Sequence, residues 1–156
     1  MKINMICVGS RMPDWVESGV AEYRKRLPAD FQLLITEVPM AQRGKNFDLA
    51  RALEKEGEAS LKIISDRDFI IALDVKGIMQ STEQLAGGLG KLRDDGRNIA
   101  MLIGGPDGLA PACLKAANAR WSLSGLTFPH PIVRIILAEQ IYRAWSILAG
   151  HPYHRS

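Results

Sequence analysis

The chain has 156 residues, 47% apolar and 24% charged, which suits one folded domain and excludes a disordered or low-complexity polymer. Its net charge of +3 is a mild pointer to an anionic partner and identifies none by itself. No apolar run approaches the ~20 residues that span a bilayer, and the two cysteines, Cys7 and Cys113, form no CxxC pair, so plain packing in a reducing compartment fits them.

The first segment, Ile3–Val8, is short and apolar and lacks a small-residue cleavage site. It reads as a strand rather than a signal peptide, and a cytoplasmic protein is expected. Val16, Val20, Tyr23 and Leu27 then recur as one stripe of a 3.6-residue period, with Pro13 in the first turn and Pro28 closing the helix. A strand over Phe31–Val38 follows, and Asn46 reads as the N-cap of a second helix rich in Ala, Glu and Lys. After a strand at Phe69–Leu73, Ser81 caps a third helix with Gln84 at the capping-box position. Gly87, Gly88 and Gly90 weaken that helix by about 1 kcal/mol each relative to Ala. Further strands are expected at Asn98–Ile103 and near Ser122–Ser124, with a helix opened by Pro111 between them. Strands apolar on both faces alternating with helices predict a single α/β domain over residues 1–156, with a mainly parallel sheet.

The last helix, opened by Pro131, is the strongest element. Val133, Ile136, Leu137, Ile141, Ala144 and Leu148 form its core stripe, while Ile132, Ile135 and Tyr142 put large apolar groups on another face. A second apolar face calls for a partner, and self-association through this helix is expected.

Chemistry gathers in the second half of the chain. Met101–Ile103 runs into Gly104-Gly105-Pro106-Asp107-Gly108, a turn that lets a ligand approach the backbone. It is not a dinucleotide fingerprint, which should follow the first strand, and no Gly-Lys-Ser/Thr makes it a Walker loop. The loop Ser124–Pro131 is small, apolar and stiffened by Pro129 and Pro131, which suits a flat base such as adenine. The tail His151-Pro152-Tyr153-His154-Arg155 is crowded for a terminus. His151 and His154 lack a third ligand at metal spacing, so no metal is expected, and docking RNA or completing a site is the more economical role.

Together, Gly104–Gly108, Leu123–Pro131, Tyr142-Arg143-Ala144-Trp145 and the His151–Arg155 ending resemble the ribosomal RNA large subunit methyltransferase H family, a minimal branch of the SPOUT methyltransferases. Met12–Val16 and Arg43–Asn46 extend the likeness over the whole chain. The resemblance implies a C-terminal trefoil knot, which general topological rules would argue against. It implies S-adenosylmethionine as methyl donor, bound at Leu73, at Gly104 and Gly105, and at Leu123, Ser124, Gly125, Leu126, Thr127 and Phe128. It also implies a homodimer that methylates N3 of a pseudouridine in 23S rRNA on the ribosome. For catalysis the tail groups are the candidates: His154 as proton acceptor, Tyr153 for stacking or hydrogen bonding, Arg143 and Arg155 for an anionic base or phosphate.

Two other readings compete. A non-catalytic RNA-binding assembly factor would not bind the methyl donor. A nucleotide enzyme would bind a phosphate at Gly104–Gly108, although Pro106 removes one backbone donor there.

Overall fold

The computed structural model describes residues 1–46 and 48–155. Ten elements follow one another: β1 (Lys2–Val8), α1 (Asp14–Arg24), β2 (Gln32–Val38), α2 (Leu49–Leu61), β3 (Phe69–Met79), α3 (Thr82–Asp94), β4 (Ile99–Ile103), α4 (Pro111–Ala116), β5 (Ala119–Ser122) and α5 (His130–Ala149). The five strands pair in the order β2-β1-β4-β3-β5, all in parallel. No helix among the described residues is long and apolar enough to cross a membrane.

The alternation along each strand explains the layering. In β1, Ile3, Met5 and Cys7 join a core shared with Val20 of α1, Leu89 of α3 and Leu137 of α5. Ile6 and Val8 point the other way, into a smaller core with Leu53 of α2 and Cys113 of α4. β4 repeats the pattern, with Met101 on the first face and Leu102 on the second, both fully buried. Apolar groups on both faces of a strand are what a helix-covered parallel sheet requires.

Several boundaries differ from expectation. Asp48, not Asn46, caps α2, its side chain accepting from the Arg51 N–H at 3.4 Å; a carboxylate there also meets the positive helix end. Pro13 is itself the N-cap of α1. β5 lies at Ala119–Ser122, earlier than the expected Ser122–Ser124. Its start is held by Asn118, whose Oδ1 accepts from Ile70 N–H at 2.7 Å, and its end by the Ser122 hydroxyl, which donates to Ser124 O at 3.0 Å. β3 runs on to Met79 rather than stopping at Leu73.

The glycines of α3 do not break it. The Ser81–Gln84 capping box is complete, and at Gly90 a Cβ would sit 2.9 Å from Leu148 Cδ2, so the missing side chain lets α3 lie close to α5. Packing outweighs propensity here.

On α5 the second apolar face is largely covered within the chain. Ile135 packs over Gly19 of α1, and Tyr142 is 5% exposed, with Tyr23, Trp145 and Tyr153 around it. Ile132, at 38%, is the member of that face left open, and Trp15 on α1 is more open still at 56%.

Candidate functional site

A parallel sheet offers its ligand crevice at the carboxyl ends of its strands, where the loops leave the layer. Here a cavity of about 870 Å³ opens beyond β3, β4 and β5 and is closed on one side by the start of α5. Its walls are mostly apolar, and its size is in the range of a nucleoside-sized ligand site.

Three loops build it. Leu73 contributes from β3; Gly104 and Gly105 begin the turn after β4; and the loop after β5 lines it with Leu123, Ser124, Leu126, Thr127 and Phe128. Gly125 is the one residue of the expected set that is not part of the wall. The turn after β4 is compact: Gly108 N–H donates to Gly105 O at 3.0 Å, and a Cβ on Gly104 would collide with the Gly108 backbone. Only glycine permits that approach, and Gly108 takes φ +81 to close the turn.

The turn is braced from outside. Arg43, in the segment after β2, donates to Asp107 Oδ2 through Nε (3.2 Å) and Nη2 (2.9 Å). Its Nη1 reaches Glu56 Oε1 and Ala41 O, both at 2.6 Å. Glu56 is 3% exposed, and its Oε2 has no partner among the described residues.

At the other rim stands His130, the first residue of α5, which sequence reasoning passed over although it lies between Pro129 and Pro131. Burial, reinforced by the nearby Arg134 guanidinium, holds its imidazole below the ordinary range, so it is neutral at pH 7. Arg134 is itself buried, donating to Gly9 O at 2.9 Å and Glu37 Oε2 at 3.0 Å, and so ties α5 to the ends of β1 and β2. Asp74 and Val75, past the expected end of β3, also line the cavity.

The tail residues gather elsewhere. Gly150 ends α5 in a left-handed C-cap, and the chain turns back along the helix. Arg143 binds Glu139 Oε1 through Nη2 at 2.6 Å and Nε at 2.8 Å, and covers the Tyr153 ring at 4.8 Å. Tyr153 donates its hydroxyl to the same Glu139 oxygen at 3.1 Å; burial first, then the Glu139 charge, pushes its pKa up to about 12. His154 Nδ1 faces Arg143 Nη1 at 3.3 Å and so accepts, leaving Nε2 to donate to Glu83 Oε1 at 3.1 Å. Arg155 is exposed.

None of Arg143, Tyr153, His154 and Arg155 lines the cavity. At about 1.5 Å per residue, Arg143 is about 15 Å along the helix from Val133, the last α5 residue in the wall. The structure thus brings the three expected loops together and keeps Arg143 and the tail residues Tyr153, His154 and Arg155 apart from them within one chain.

An open parallel α/β layer with a largely apolar cleft at its strand ends defines a domain built to hold a small ligand of nucleoside size. Comparison with known proteins identifies it further: residues 1–154 match the family described as "Predicted SPOUT methyltransferase". The chain belongs to that family and is a methyltransferase. Among its relatives, a protein of Chromohalobacter salexigens named ribosomal RNA large subunit methyltransferase H is 57% identical, covering 99% of this chain and all (100%) of the relative. One of the same name from a Marinomonas species is 53% identical over the same shares. Solved structures of low identity share the fold: a probable methylase family protein of Haemophilus influenzae (TM-score 0.64, 9% identity, 99% of this chain and 70% of that one), and a putative methylase family protein of Neisseria gonorrhoeae (TM-score 0.57, 14% identity, 97% and 95%).

Proposed function

We propose that the chain is a cytoplasmic, S-adenosylmethionine-dependent methyltransferase that acts as a homodimer on N3 of a pseudouridine in 23S rRNA. The observation that carries this reading is the convergence of Leu73, Gly104–Gly105 and the Leu123–Phe128 loop on one apolar cavity. The names of the relatives support ribosomal RNA as the substrate. The resemblance also supports a trefoil knot in the C-terminal half, through which these loops are held together.

The cavity fits the donor. Its walls suit an adenine ring, the Gly104–Gly108 turn exposes backbone groups for hydrogen bonding, and a neutral His130 adds no repulsive charge. The donor, when bound, supplies an electrophilic methyl group on a sulfonium. The protein has to orient the base, take up the imide proton and exclude water.

Those tasks fall to the tail. Because Arg143 and His154 sit too far along α5 to reach their own cavity, the tail serves the cavity of a second copy. Trp15 and Ile132, exposed on neighbouring helices, supply an apolar seat for that copy. Arg143 and Arg155 stabilise negative charge on the base or a neighbouring phosphate, and Tyr153 offers a face for stacking. As a base His154 must first release Arg143, whose N–H occupies its free nitrogen.

The test is methyl transfer from labelled S-adenosylmethionine to ribosomes from a strain lacking the gene, with the product located by mass spectrometry of the rRNA. A label on N3 of a 23S pseudouridine is expected. Donor binding without transfer to any rRNA would overturn the substrate, and the absence of donor binding would favour an assembly factor instead.

A further inference from the structure

The pairing of β3 with β5 is interrupted. Leu73 pairs with Trp121, and after four looped-out residues Ile78 pairs with Trp121 again. Gly77 pins this bulge, since a Cβ there would lie 2.7 Å from the Trp121 carbonyl carbon. Bulges re-aim side chains beside functional sites. This one places Asp74 in the cavity wall, its Oδ1 accepting from Lys76 N–H at 3.3 Å.

The ionisable side chains lining the cavity are Asp74, Asp107 and His130. Asp107 is paired with Arg43 at 2.9 Å, a guanidinium that it shares with Glu56. His130 is neutral at pH 7, for the reasons given above. Asp74 has no ion-pair partner among the described residues. Asp74 is therefore the one carboxylate of the wall with no cation against it among the described residues, in largely apolar surroundings where a charge interacts more strongly than in bulk water.

From this we infer that Asp74 matches the cavity to the charge of the methyl donor and so makes it bind the cationic donor more tightly than the neutral demethylated product. The inference rests on the donor reading above. The donor is a cation at sulfur; once the methyl group has passed to the base nitrogen with loss of the N–H proton, the sulfur is a neutral thioether. The two ligands share every other group, so a carboxylate in the wall is the feature that separates them. Product release is favoured without any movement of the protein.

Calorimetric titration of the full-length protein and its Asp74→Asn variant decides the matter, with S-adenosylmethionine, S-adenosylhomocysteine and the cationic analogue sinefungin as ligands. Asn keeps the oxygen that accepts from Lys76, so the fold and melting temperature should be unchanged. The wild-type protein is expected to prefer the two cations. In the variant their Kd should rise on the order of tenfold, with that of S-adenosylhomocysteine changing less than about twofold. Raising the salt concentration should shrink the wild-type preference and leave the variant unmoved. Equal weakening of all three ligands would overturn the inference, because Asp74 would then hold a group they share; so would no change at all. A wild-type protein that binds none of them would overturn the donor reading itself.

Discussion

Replacing Arg43 by Ala tests the brace behind the Gly104–Gly108 turn. Glu56 is 3% exposed and depends on Arg43 at 2.6 Å; without it, Oε1 keeps the Ala41 N–H at 3.1 Å and the carboxylate is buried with no counter-charge. Breaking a buried pair from one side costs ~3–5 kcal/mol. The Arg43 side chain keeps 16% of its surface in water, which places the loss near about 3 kcal/mol. Its contact with Asp107, 37% exposed, adds less than about 1 kcal/mol. For a chain of this size each kcal/mol lowers Tm by about 2–4 °C, so thermal unfolding at fixed protein concentration should shift down by about 6–12 °C. Adding Glu56→Gln to Arg43→Ala removes the stranded charge and should recover more than half of the loss. An Arg43→Ala protein melting within about 2 °C of wild type, or a double variant no better than the single one, would refute this account of the brace.

Three further outcomes are expected. Arg143→Ala should lower turnover on ribosomes by about 100-fold or more while stability changes by less than about 1 kcal/mol and donor affinity stays constant, because the pair with Glu139 is partly exposed; a large drop in Tm would make Arg143 structural instead. His130 is held neutral in the folded chain, so the unfolded chain takes up a proton first as pH falls through ~6.5 and stability declines there. His130→Gln should flatten that part of a urea-midpoint against pH curve, and an unchanged slope would contradict it. Burial pushes the Cys7 thiol up to about 11 and raises Cys113 as well, so neither should react with a thiol reagent at pH 8 until the protein is unfolded.

The parallel α/β alternation and two of the three loops that meet at the cavity were legible because they rest on local signals, whereas Leu73 came only with the family resemblance. Runs such as Met101–Ile103 alternate between two apolar faces, and Gly104 and Gly108 mark a turn that no other residue could make. Asn46 misled because a good capping residue two positions early looks the same in sequence; the carboxylate of Asp48 and the backbone at φ −98 decide it. Asp74 was missed because its place depends on a bulge fixed by Gly77 against a strand more than forty residues away, and no local pattern records such a contact. Of the second apolar face of α5, Ile135 finds room beneath α1 at Gly19 and the aromatic group around Tyr142 is closed within the chain, which leaves Ile132 as its open member. Arg143 lies about 15 Å along α5 from the cavity wall, a separation that only the fold could supply.

That separation leads to the most direct test. One chain is truncated after Gly150; the other carries Leu126→Trp, at a wall residue that is 71% exposed, so the fold is retained while the larger side chain crowds the cavity. Each protein alone should be inactive on ribosomes, the first still binding the methyl donor and the second not. Co-expressed and purified as a mixed dimer, they should regain transferase activity, because one intact cavity meets one intact tail from the other chain. A mixed dimer as inactive as its parents, or a truncated protein as active as wild type, would contradict the account.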